Sequence, residues 1–250
     1  MAETVARQQA RAVGTITECF LLGNPSESDL HKINTMPEKT LQRKIKTIYS
    51  VADGIPGIVK NNPGQVPELL LEFHEGWVEF YLKHGIKIDL NDYKLDPSRF
   101  TFADGQNYWS IITPPAMTPQ KAYEIRKSVS KTYEGITPSK ITDIFPRVPV
   151  SVIRANKIAR VEHPNVSCLK SIELGLWGTT FTEGCLIDGR VWTDLQIHLD
   201  EDGWTMHSGS RSEGGEVVGS HWNPGYEKWC VDLNSLSCEH SHLSLRQKQF

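Results

Sequence analysis

Two Asp-Gly dipeptides, Asp188-Gly189 and Asp202-Gly203, sit between runs of alternating apolar and polar residues. That dipeptide suits a type I′ hairpin, whose central residues need positive φ, so it predicts where a strand reverses. With both reversals accepted, the stretch from Ser171 to Leu233 reads as consecutive antiparallel strands in a defined register. Ile172, Leu174 and Leu176 face one way, and Glu173, Gly175 and Trp177 the other. About the second reversal, Leu199 opposes Met206 and His198 opposes His207. About the first, Leu186 opposes Val191, Cys185 opposes Trp192 and Glu183 opposes Asp194. Burial favours this register, because a one-residue slip would turn every side chain to the other face.

The polar face of such a sheet carries the candidate site. Opposed residues of an antiparallel pair have Cβ atoms about 5 Å apart, so His198 and His207 would form a proton-handling pair. Asp194 or Glu173 would orient a substrate or tune an imidazole. Trp192 would stack on a ligand, with Trp177, Gln196 and Arg211 adding contacts on the same side. The row Glu183–Asp194–Arg211 reads as a structural ion cluster, or more sharply as two carboxylates sharing a proton. No metal is expected, because Asp194 would lie about 13 Å along the strand from His198. A third ligand would have to come from His163 or His221. The Gly-rich run Ser208–Gly215 reads as an exposed turn, or as a flap over a pocket, and lacks phosphate-loop spacing.

The first 148 residues read differently. Pro37 to Asp53 carries Leu41, Ile45, Ile48, Tyr49 and Ala52 at helical spacing. A second helix starts at Pro67, with Leu70, Phe73, Trp77, Phe80 and Tyr81 on one side, and stops at His84-Gly85. Residues 87–115 form an aromatic-rich irregular segment. Thr118-Pro119 opens a third helix with Ala122, Ile125, Val129 and Tyr133 as its stripe. Val150 to Arg160 fits helix or strand equally, and Trp229, Val231 and Leu233 restore the alternation in a last strand.

Composition excludes several partners. Of the 250 residues 38% are hydrophobic and 23% charged, as in a globular protein. Residues 1–145 balance 17 basic against 17 acidic side chains, so the whole net charge of −3 falls on residues 146–250 and disfavours anionic ligands there. No concentrated basic surface exists for nucleic acid. No run reaches the roughly 20 apolar residues that span a bilayer. Five scattered cysteines and no signal-peptide pattern predict a cytoplasmic, thiol-reduced protein.

The expected architecture is α+β: a helical part over 1–148, then a C-terminal antiparallel β-meander over 149–235 closing into a small barrel or curved sheet, then a flexible tail over 236–250. The expected function is a small-molecule-binding β-domain, possessing cofactor-independent acid/base chemistry of the isomerase, cyclase or lyase type if it is an enzyme. The alternative is a non-catalytic carbohydrate- or protein-binding module in which Trp177 and Trp192 form a platform and the helices serve homo-oligomer contacts. A metal-dependent enzyme is the third reading.

Overall fold

The computed structural model describes residues 66–103, 106–133, 135–146, 148–156, 162–240 and 242–250. All of them belong to one compact unit, Gly54–Phe250. The helix expected over Pro37–Asp53 lies outside the described residues. The fold is α+β as expected, but its sheets are not closed into a barrel. No helix among the described residues is long and apolar enough to cross a membrane.

Helices α1 (Glu68–Glu75) and α2 (Trp77–Lys83) follow each other through Gly76 and bury Leu70, Phe73, Trp77, Phe80 and Tyr81 as their spacing predicts. The chain leaves α2 through a Schellman turn: Gly85 has φ +71°, its N–H bonds Leu82 O, and Ile86 N bonds Tyr81 O. Strand β1 (Tyr108–Ile112) lies beneath them at a sheet edge. Trp77 Nε1 donates to Ser110 O at 3.0 Å and Tyr81 OH to Ile112 O at 2.6 Å, which covers that edge. His74 is buried beside them, with Nδ1 3.0 Å from Ser110 Oγ. Helix α3 (Pro119–Val129) opens on Thr118, whose Oγ1 accepts from Lys121 N.

Two sheets follow. The first has the order β1–β3–β9, where β3 is Val150–Arg154 and β9 is Lys248–Gln249. The second runs β4 (His163–Pro164), β8 (Leu243–Leu245), β5 (Trp204–Ser212), β6 (Val217–Asn223), β7 (Lys228–Asn234), and β2 (Ile141–Asp143) also pairs with β5. Strands β5, β6 and β7 form a consecutive antiparallel meander, whereas β8 runs parallel to β5. Pairings cross residue 148, where a boundary was expected: β1 binds β3, and β2 binds β5.

The stretch Ser171–Leu199 corrects the expected hairpins. It holds helices α4 (Cys168–Glu173) and α5 (Phe181–Leu195), and Asp188-Gly189 lies buried in the middle of α5. A capping box starts α5: Thr180 Oγ1 accepts from Glu183 N at 3.1 Å while Glu183 Oε2 accepts from Thr180 N at 2.7 Å. Helical hydrogen bonds then absorb the residues that read as alternating strand. Asp202-Gly203 is a turn, but it connects an irregular segment to β5 rather than two strands. The tail is also corrected. Leu243 and Leu245 join Cys168, Met206 and Val217 in a core cluster, and Arg246 and Lys248 are buried.

Candidate functional site

Between α5 and the large sheet lies a layer of buried polar side chains. Glu183 at the start of α5 accepts from Lys248 Nζ at 2.9 and 3.0 Å and from Ser151 Oγ at 2.9 Å. One turn further, Asp188 accepts from Arg126 Nε and from Leu199 N at 3.2 Å. Asp200 accepts from Thr205 Oγ1, and from Arg246 Nη2 at 2.9 Å. His207 on β5 has Nδ1 3.0 Å from Thr179 Oγ1 and Nε2 2.8 Å from Ser220 Oγ. Its ring fits against α5 only because residue 184 is glycine: a Cβ there would stand 2.1 Å from His207 Cε1.

Asp188, Asp200, His207 and Arg246 line a void of about 10 Å³, room for about one water molecule. Burial, reinforced by Arg246, pushes the His207 imidazole down to about 3, so it stays neutral near physiological pH. Burial raises the Asp188 carboxyl, and Arg126 pulls it back. These groups build an interior layer in which Asp188 and Asp200 are already held by Arg126 and Arg246.

The expected site residues do not share one face. His207 opposes Val218 rather than His198, and the arm expected to carry His198 is not a strand. Asp194 pairs with Arg190 within α5, and Glu173 pairs with Lys170 on the exposed face of α4. The row Glu183–Asp194–Arg211 is not formed, because Arg211 instead donates to Ser208 O, Ser210 O and Cys168 Sγ. Gln196 is the left-handed C-cap of α5. Trp177 is 40% exposed and packs edge-on against Phe145 and Phe250, while Trp192 stacks on His198. His163 meets Gln247 at 2.9 Å and His221 stacks on Trp204. Among the described residues no three His, Cys, Asp or Glu side chains are grouped to hold a metal ion.

One pair of expected residues does meet, in a way the strand register did not anticipate. His198 lies between the indoles of Trp192 and Trp222, with ring centroids 3.8 and 3.3 Å away and planes within 8° and 6° of parallel. Trp192 comes from the last turn of α5, where its Nε1 donates to Val129 O at 3.0 Å. Trp222 comes from β6, opposite Trp229 of β7. Both indoles are part-exposed, so the stack reaches the surface at the rim of the sheet.

No protein-family model, curated protein or solved structure matches this chain.

The chemistry of the site therefore rests on its own geometry. Cys185 is fully buried in α5, and burial pushes its thiol up. Trp222 is the functional candidate the sequence reading left unassigned. Its partners in the stack lie 24 and 30 residues upstream in chain order and on different elements, so no local spacing links them. The two indoles turn parallel apolar faces toward each other, and the buried His198 ring fills the space between them.

Proposed function

We propose that this chain is a small-molecule-binding protein whose ligand presents a planar ring to the slot between Trp192 and Trp222. The observation that carries the reading is the parallel Trp192–His198–Trp222 stack at the protein surface. The function is binding without turnover. Of the expected proton-handling pair His198 and His207, the second bonds Thr179 and Ser220, and Asp194 and Glu173, expected to orient a substrate or tune an imidazole, are paired with Arg190 and Lys170. The void beside His207 is too small for a substrate.

Tryptophan fluorescence tests the reading. Planar heteroaromatic compounds such as adenine, nicotinamide and quinoline should include at least one that quenches emission saturably, whereas glucose should not. The Trp222→Leu variant, with its fold verified by circular dichroism, should lose that response at least tenfold in affinity. Equal binding by the variant, or no saturable response from any planar compound, would refute the reading.

A further inference from the structure

We infer that Cys168 and Cys238 form a reversible disulfide site, closed by a peroxide and opened by a thiol reductant. Both are free thiols in the structure and lie 70 residues apart in the chain. The fold brings their segments together. Leu169 N donates to Leu236 O at 3.1 Å, and Ser167 Oγ donates to Glu239 Oε1 at 3.2 Å. These two contacts run in opposite chain directions and bracket the cysteines, so Cys168 stands opposite the turn that Cys238 N closes on Ser235 O. A disulfide spans Cα separations of about 4.4–6.8 Å, the scale on which a backbone hydrogen bond one residue from Cys168 and two from Cys238 holds the segments. Cys168 belongs to the apolar cluster of Met206, Val217, Leu243 and Leu245, and Cys238 packs against that same cluster.

The two thiols are unlike, and the difference orders the steps. Cys238 is part-exposed, whereas Cys168 is fully buried, so a peroxide reaches Cys238 first. The Cys238 thiolate attacks one peroxide oxygen and the O–O bond breaks, leaving a sulfenic acid and releasing one water. Cys168 Sγ then attacks Cys238 Sγ. The S–S bond forms, the S–O bond breaks, and hydroxide departs with the Cys168 proton as a second water. Two thiols and one hydrogen peroxide thus become one disulfide and two waters. Burial pushes the Cys168 thiol up, which slows that attack, and Arg211 opposes the shift by donating from Nη2 to Cys168 Sγ at 3.0 Å. Arg211 is therefore a positioning residue for the second step.

Cys185 and Cys230 are placed differently. Cys185 is enclosed within α5, and Cys230 lies in β7 with Sγ donating to Lys228 O at 3.7 Å. The bond between Cys168 and Cys238 would act as a staple. The chain after Cys238 leads into β8 and on to Arg246 and Lys248, which hold Asp200 and Glu183 in the interior layer. Tying Cys238 to the start of α4 holds that segment in place and takes conformational freedom from the unfolded chain.

Peptide mapping of the full chain, exposed to hydrogen peroxide, then alkylated and digested without reduction, tests the inference. A peptide joining Cys168 to Cys238 should appear, two hydrogens lighter than its separate halves, and should vanish with dithiothreitol. Cys238→Ser should abolish the link. Cys168→Ser should strand the sulfenic acid at Cys238, where dimedone captures at least tenfold more than in wild type. Arg211→Gln should move the pH for half-maximal link formation upward, and Arg211→Lys should restore it. The linked wild type should melt at a higher temperature than the reduced one. Wild-type Cys238 left unmodified, oxidised only to sulfinic acid, or linked to any cysteine except Cys168 would overturn the site, whatever the variants do. An unchanged pH dependence in Arg211→Gln would overturn the part given to Arg211, and an unchanged melting temperature would overturn the staple.

Discussion

Burial of His207 should make this protein lose stability on mild acidification. The folded imidazole titrates near 3 and the unfolded one near 6.5, because the fully enclosed ring cannot accept a proton without losing hydration beside Arg246. The sign follows from proton uptake. Between the two values the unfolded chain binds a proton that the folded chain does not, so stability falls as pH drops below about 6.5. At pH 5 the folded ring is still neutral and the unfolded one almost fully charged. The slope of about 1.4 kcal/mol per pH unit then gives a loss of about 2 kcal/mol between pH 7 and pH 5. For a unit of this size that lowers Tm by roughly 4–8 °C. Urea unfolding at both pH values, for wild type and for His207→Gln, isolates the effect. His74 and His221 are also lowered by burial and act in the same direction, but they remain in the variant. Wild type should therefore lose about 2 kcal/mol more than His207→Gln. Equal losses within about 0.5 kcal/mol would refute the argument, since they would mean that residue 207 titrates alike in both states.

Two further perturbations separate close packing from local preference. Gly184 and Gly189 lie in the same helix, yet alanine should act oppositely at the two sites. At 184 the new Cβ meets an imidazole fastened at both nitrogens, costing about 1–3 kcal/mol. At 189 the nearest atom is Arg126 Cδ at 3.5 Å, an ordinary contact, so the gain in helix propensity should stabilise by about 0.5–1 kcal/mol. Thermal melts of both variants check the signs. Deleting residues 243–250 should abolish cooperative unfolding, because it strips Arg246 from Asp200 and Lys248 from Glu183. Orphaning a buried charge costs about 3–5 kcal/mol each time, a sum comparable with the whole stability of a domain. A sharp calorimetric transition in the truncated chain would contradict this.

Where chemistry is local, the sequence was informative. The stop at Gly85, the Thr118-Pro119 start of α3 and the alternating strand at Trp229 and Val231 each follow from a few adjacent residues, and each is present. Asp188-Gly189 misled because a turn dipeptide inside a buried helix looks identical to one between strands. The contrary signal was the Thr180–Glu183 capping box, which marks a helix start eight residues before Asp188. The tail misled for a different reason. Its Arg246 and Lys248 look like solvent-facing charges until their carboxylates, 46 and 65 residues away in the chain, are brought beside them. The histidines then parted company: His207 went into the interior layer, and His198 to a stack whose outer indole belongs to a separate hairpin.

That parting has a physical logic. An imidazole bonded through both nitrogens to Thr179 and Ser220 can leave only by abandoning two buried hydroxyls, and a purely stabilising role suits such a residue. The buried His198 imidazole lies instead between two parallel indole faces, where dispersion contacts of ring on ring contribute to holding it. The interior layer is bound to its geometry through charges that are costly to separate. Of the two histidines, His207 is enclosed wholly within the interior layer, whereas His198 is packed between two indoles that are themselves part-exposed.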